Sequence, residues 1–402
     1  MLLPIGRVLD RQRARQPGKP GTVAWPGRRT ACLSLALAAA CACFGPALGQ
    51  PRKDTLVLAM TLEPPGLDPT AGAASAIAEI TLYNLYETLT KVHSDSKITG
   101  LLAESWVASP DLKTWTFKLR PGVKFHNGEP LSPASVKYSF ERAVAKESTN
   151  KDKAVFANIE RIDTPDANTV VLNLKNGNPD LLFQLGQATA IIVEPRSVAT
   201  NATQPVGSGP YRLEAWARGS SVTLSRWDGH RAAKDVKLRR VTMRFISDPA
   251  AQVAALLSGD VDVFPRVSAA KSLKQFEGSK KYQVLIGGSR AKTILAMNNK
   301  RKPLDDVRVR RAIYAAIDRK AVIEGAADGF GTPIGSYYVP GAPGYIDTID
   351  LNPHDQAKAR ALLHQAGITP PLELTMKLPP TPYARQGGEV IAAQLAKVGI
   401  NV

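Results

Sequence analysis

Residues 303–319 read PLDDVRVRRAIYAAIDR, and this stretch decides the fold. Val309, Ala312, Ile313, Ala316 and Ile317 recur at helical spacing and predict one buried apolar stripe, with Arg308, Arg310, Arg311 and Arg319 mostly off it. Asp305 or Asp306 is the N-cap, because a short carboxylate accepts bonds from the first free N–H groups and suits the positive end of the helix dipole.

Downstream, Asn352-Pro353 caps a helix, HDQAKARALLHQAG, that Gly367 ends; LELTMKL reads as a strand and Ala384 to Val398 as a helix. Ile400-Asn401-Val402 begins a further strand and the sequence stops, so this last sheet is expected to be incomplete at the C-terminus.

Upstream, TLVLAM (55–60) reads as a buried strand and EPPGLDP as a turn-rich loop. Ser75 is expected to cap a helix whose apolar face is Ile77, Ile80, Tyr83, Leu85, Tyr86 and Leu89. In TWTFKLR, Trp115, Phe117 and Leu119 alternate with polar residues, the pattern of a half-buried strand. Turns follow at Pro121-Gly122 and Asn127-Gly128, then a helix with Ser132 as N-cap and Pro133 at its first position, where the missing N–H costs nothing. Asn168 to Leu174 reads as a strand and Leu181 to Leu185 as a short helix.

PVGSGPY (205–211) forces a tight loop that brings the backbone close to another segment, and YRLEAWARG into SVTLSRW is a hairpin. LRRVTMRF is a strand, Asp248-Pro249 opens the helix AAQVAALLSG, and VDVF, YQVLIGG and KTILAMN read as further strands. Strands alternating with helices indicate an α/β protein with a mixed sheet.

Residues 1–49 stand apart. Arg28 and Arg29 precede a 14-residue apolar run, Ala31 to Phe44, followed by Pro46, Ala47 and Gly49. A basic segment, a short apolar run and small residues read as a secretory signal peptide cleaved after Gly49, and the run is too short to span a bilayer. Cys32, Cys41 and Cys43 all lie in it, so the mature chain carries no cysteine and no disulfide. Processing leaves 45 basic and 34 acidic residues, still basic. The basic clusters, Lys237 to Arg240, Lys300 to Lys302 and Arg308 to Arg311, have no stacking aromatics among them, so they read as solvated faces and not as a nucleic-acid surface.

Several segments share the wording of one family, in order: TLVLAMTLEPPGLDP, LYNLYETL, GLLAESWVASPDLKTWTFKLRPGVKFHNGEPLSPASVKYSFER, PVGSGPY, SDPAAQVAALLSGDVD, PLDDVRVRRAIYAAIDR and NPHDQAKARALLHQAG. Over residues 55–402 the chain resembles the extracytoplasmic solute-binding proteins of family 5, the peptide-binding components of ABC importers. The resemblance implies a periplasmic binding protein-like class II fold, with two lobes around a cleft and an extra inserted lobe. Lobe I would take 55–90 and 205–298, the inserted lobe II 91–204, and lobe III 299–402, incomplete.

It also implies a monomer that captures small peptides between lobes and delivers them to ABC permease subunits and their ATPase, without a cofactor. Arg385 resembles the arginine that holds the ligand's C-terminal carboxylate, a role suited to a guanidinium fork at a helix start. Gly72 and Ser75 match the lobe I loop that approaches the peptide backbone. His230-Arg231 stands where the family often shows Tyr-Trp, which puts the packing there in question. Glutathione, a nickel chelate or an oligosaccharide are alternative ligands of the same fold.

Catalytic readings fare poorly. His93, His126, His230, His354 and His364 show no metal-ligand spacing, so no metal site is expected. Gly207-Ser208-Gly209 only superficially resembles the nucleophile elbow of a secreted hydrolase, since it lacks that motif's spacing and strand-to-helix context. The chain therefore reads as a binding protein and not an enzyme.

Overall fold

β1 spans Thr55–Met60 and is buried at its end. The computed structural model describes residues 53–267, 270–342 and 344–402; the signal peptide read in residues 1–49 lies outside them. Helix α1, Ser75–Thr81, has Ala74 as its N-cap, so Ser75 is the first helical residue and not the cap. The helix also ends earlier than its apolar periodicity suggests. Tyr83 adopts φ 62°, and the carbonyls of Leu85 and Asn84 accept bonds from Gly209 N (2.9 Å) and Tyr211 N (3.0 Å). Those carbonyls are committed to the PVGSGPY loop and no longer serve a helix, while Leu85, Tyr86 and Leu89 remain fully buried. A Cβ on Gly207 would sit 1.9 Å from Leu85 O, and one on Gly209 2.3 Å from Asn84 O; this is the close approach that the glycines permit.

After the hairpin β2 (Thr90–Val92) and β3 (Ile98–Gly100), residues 103–184 build an antiparallel layer. Its elements are β4 (Ala103–Ala108), β5 (Thr114–Leu119), α2 (Pro133–Val144), α3 (Lys153–Ala157), β6 (Ile159–Asp166), β7 (Thr169–Leu174) and α4 (Leu181–Gln184). The sheet order is β4-β5-β7-β6. Trp115, Phe117 and Leu119 face inward, as the alternation requires, and meet Val136, Phe140, Phe156 and Leu172 in one core. Ser132 caps α2, and its N–H donates back to Ser135 Oγ at 3.4 Å. Strand β6, IERIDTPD, lacks an apolar alternation because it is an edge strand with a largely exposed, polar surface.

The chain then returns to the first sheet. β8 (Tyr211–Ala217) and β9 (Ser221–Arg226) form the expected hairpin, and β10 (Arg240–Phe245) pairs antiparallel with β9 and parallel with β1. The order is β1-β10-β9-β8. Val222, Leu224, Val241 and Met243 pack with Met60, Leu67, Ile80 and Tyr86. Helix α5 (Pro249–Ser258) is capped by Asp248, whose carboxylate accepts from Ala251 N at 2.7 Å. The expected VDVF strand reduces to one bridge between Val263 and Leu58. The two cores are clamped together: Arg142 of α2 donates to the buried Asp68 at 2.8 Å and to Thr70.

YQVLIGG and KTILAMN do not form strands. They are apolar and extended in character, but no partner among the described residues supplies a ladder. Leu285, Ile286 and Ile294 are correspondingly exposed. Helix α6, Val307–Ala316, is capped by Asp306, which accepts from Arg308 N at 2.7 Å. Ile317 ends it in extended conformation, and Asp318 caps a separate helix, α7 (Arg319–Ala327), so Arg319 belongs to α7. α8 (Gln356–Gln365) is capped by Asp355 and not by Asn352; Gly367 follows at φ 72°. β11 (Leu372–Glu373) is a short remnant of the LELTMKL strand; α9 (Pro382–Ala396) follows, and β12 (Ile400–Asn401) pairs parallel with β11. Val309, Ala312, Ile313 and Ala316 of α6 pack on Ala359, Leu363, Leu395 and Ile400.

Candidate ligand-binding site

Arg385 lies in the first turn of α9, after Thr381 as N-cap and Pro382 at the first helical position. It is exposed, and among the described residues its guanidinium makes no ion pair or hydrogen bond. The N–H groups of Ala384 and Arg385 already donate to Thr381 O (3.2 Å each), so the guanidinium itself, at the positive end of the helix dipole, is what would attract a carboxylate by charge and hydrogen bonding.

α9 is fixed against α7 through small residues. A Cβ on Gly387 would meet Ala326 at 3.4 Å, and one on Gly325 would meet Val390 at 2.7 Å. Near the other end, Gln394 Oε1 accepts from Asp318 N at 2.9 Å. These contacts make the two helices antiparallel and put Arg385 level with Asp328, the left-handed C-cap of α7 (φ 52°). Asp328 accepts from Lys271 N at 3.2 Å, and Lys271 Nζ lies 3.0 Å from its carboxylate. In the segment leading to Lys271, Arg266 pairs with Glu79 of α1. A series of ion pairs therefore leads from α1 to the helix pair that carries Arg385.

Ser75, at the start of α1, is exposed and its hydroxyl has no partner among the described residues. Gly72 is partly buried, and a Cβ there would sit 2.8 Å from Ile77 Cδ1, so this glycine also serves packing. No hydrogen bond joins either residue to Arg385 among the described residues. Asp328, Lys292, Tyr337 and Tyr338 escaped sequence reading. Lys292 Nζ sits 3.5 Å over the Tyr337 ring and donates to Tyr337 O at 2.7 Å, while Tyr337 and Tyr338 meet edge-on and are exposed. The only sequence signal for this platform is two adjacent tyrosines in a Gly- and Pro-bounded loop.

The GSG segment has a different role from a nucleophile elbow. Ser208 is fully buried and its hydroxyl donates to Glu87 at 3.0 Å. The Arg231 guanidinium grips the same carboxylate with two bonds, 2.8 and 2.6 Å, and His230 Nε2 lies 3.5 Å from it. Burial opposes ionisation of Glu87, but the His230 and Arg231 hydrogen bonds and the Arg231 charge outweigh it and hold its pKa below the usual 4.5. Arg231 thus neutralises a buried carboxylate that His230 adjoins. Beside it, His126 Nδ1 accepts from Gly207 N (3.2 Å) and Nε2 donates to Gly209 O (3.0 Å). Burial lowers its pKa to about 4 despite that carbonyl, and Trp227 packs edge-on at 5.0 Å.

The family model of bacterial extracellular solute-binding proteins, family 5 Middle, matches residues 97–402. The chain belongs to family 5 of the extracellular solute-binding proteins. Among curated relatives, the glutathione-binding protein GsiB of Pectobacterium atrosepticum is 30% identical over 343 residues, covering 84% of this chain and 66% of the relative. GsiB of Salmonella typhi is 30% identical and is covered to 65%; the chain thus spans slightly less than two thirds of these relatives. Among solved structures, AgaA in complex with agropinic acid, from A. tumefacien R10, is 31% identical with a TM-score of 0.76, over 87% of this chain and 72% of that one. DppA of Helicobacter pylori in complex with the peptide STSA is 25% identical with a TM-score of 0.77 over the same shares. These likenesses establish the family 5 fold, the class II periplasmic binding protein architecture.

Proposed function

We propose that this family 5 protein is the periplasmic substrate-binding component of an ABC-type importer for small peptides, working as a monomer without enzymatic activity or a cofactor. It would release its ligand to membrane permease subunits driven by their ATPase. The three larger hydrophobic clusters support a division into lobe I (55–90 and 205–298), an inserted lobe (91–204) and lobe III from 299 onward. The ligand would sit between lobes I and III and be enclosed by hinge closure.

The observation that carries this reading is Arg385, an exposed guanidinium on the first turn of α9 with no partner among the described residues. It holds the ligand's terminal carboxylate, while Ser75 and Gly72 lie along the peptide backbone. Glutathione is a second candidate, because curated relatives at 30% identity are named for binding it.

Isothermal titration calorimetry of the full chain with a dipeptide, its C-terminal amide and glutathione tests this. Losing a charge-assisted bidentate pair costs about 2–3 kcal/mol. Arg385→Ala and amidation are each expected to weaken binding by roughly 30- to 150-fold, with no additive effect in combination. Equal affinity for the acid and the amide, or turnover of either peptide, would overturn the assignment.

A further inference from the structure

We infer that the hollow between α2 and the 125–130 and 194–196 loops is a second binding site, for a small organic ammonium ion with an apolar body. Its volume is about 410 Å³, within the range of about 300–1,000 Å³ typical of small-molecule pockets. Phe125, Pro130, Tyr138 and Pro195 line it with apolar surface.

Its charge is unbalanced. The Glu194 side chain is only 4% exposed, yet among the described residues it accepts a single long bond, 3.3 Å from Arg196 Nε. Arg196 is 70% exposed and also reaches Glu129 at 2.5 Å. One guanidinium, arriving from solvent, thus serves two carboxylates, and the lining keeps a net negative charge. A buried carboxylate is stabilised by fuller pairing than this.

An ammonium group supplies three donors and a compact charge, so it completes the pairing of Glu194 while its apolar part covers the ring and proline surfaces. An anion is disfavoured: it would face two carboxylates, and Ser132 and Ser135 already cap the start of α2. Arg196 is then an internal competitor that the ligand displaces from Glu194. The site is independent of Arg385, which lies on α9.

The test uses the full chain with benzylammonium chloride as probe, and benzyl alcohol and benzoate as neutral and anionic counterparts, read by calorimetry and thermal shift. Benzylammonium is expected to bind and the other two to bind at least tenfold more weakly. Glu194→Gln should weaken benzylammonium at least tenfold, whereas Arg196→Ala should tighten it severalfold; Arg385→Ala should leave it unchanged. A dipeptide should not displace the probe, so loss of peptide binding and loss of this site are distinguishable. Absence of benzylammonium binding at millimolar concentration, equal binding of benzyl alcohol, or weakening by Arg196→Ala would each overturn the inference. Should Glu194→Gln fail to fold by circular dichroism, the direction of the Arg196→Ala effect decides alone.

Discussion

Replacing Arg231 with Met tests a buried charge, Glu87, that is held by several partners. Glu87 is 2% exposed as a side chain, and Arg231 supplies two of its bonds. Removing one partner of a buried ion pair costs about 3–5 kcal/mol, because the remaining charge stays desolvated. Arg231 is itself 31% exposed, so water reaches part of the space it leaves, and Ser208 still donates. The expected loss near pH 7.5 is therefore about 2–3 kcal/mol, read as a fall in the urea midpoint by circular dichroism.

The pH dependence identifies the cause. In the wild type the folded pKa of Glu87 lies below 4.5, so its stabilisation is present above that value and disappears as pH falls through the folded pKa. In the variant, burial acts without the guanidinium and raises the pKa, so the carboxyl takes up a proton at higher pH and escapes the desolvation penalty. The gap between the two proteins should narrow steadily from pH 7.5 to pH 4.5. Contributions common to both proteins, including that of His126, largely cancel in this difference. A gap below about 1 kcal/mol, or one that stays constant with pH, would refute the account.

Three further outcomes are expected. His126 remains unprotonated in the fold until about pH 4, while an unfolded His gains its proton near pH 6.5, so stability should decline as pH falls from 6.5 to 4, by up to about 3 kcal/mol; His126→Gln should flatten that slope in urea titrations. Gly207→Ala places a Cβ 1.9 Å from Leu85 O and should cost at least about 2 kcal/mol, seen as a lower melting temperature. Arg142→Ala strips the buried Asp68 of its ion pair; a loss of about 2–4 kcal/mol is expected in chemical denaturation, with faster hydrogen exchange in the 68–71 loop.

Much of the architecture was legible because it depends on local chemistry. The alternation in TWTFKLR, the Ser132-Pro133 start and the Asp248-Pro249 start specify their elements through nearest neighbours, and the structure retains them. Reading failed where distant segments compete. α1 stops early because the 207–211 loop takes the carbonyls of Asn84 and Leu85. Residues 282–288 and 292–298 have strand-like composition but no ladder among the described residues, since pairing requires a neighbour and not merely a propensity. Asp355 displaces Asn352 as a cap by accepting from Lys358 N at 2.8 Å.

The sequence alone determined the family, through the ordered segments that culminate in residues 303–319, and the α/β class, because periodicity and capping act within a few residues. It also singled out Arg385, through the resemblance to the family's carboxylate-holding arginine. Only the tertiary structure decided that Arg385, on the first turn of α9 and level with Asp328, is exposed and has no partner among the described residues. The same holds for Ser208, buried on Glu87, and for His230-Arg231, the partners of that carboxylate. Ser208 and Arg231 lie 121 and 144 residues from Glu87 in the chain, and whether a charge is paired or free is a property of that folded neighbourhood.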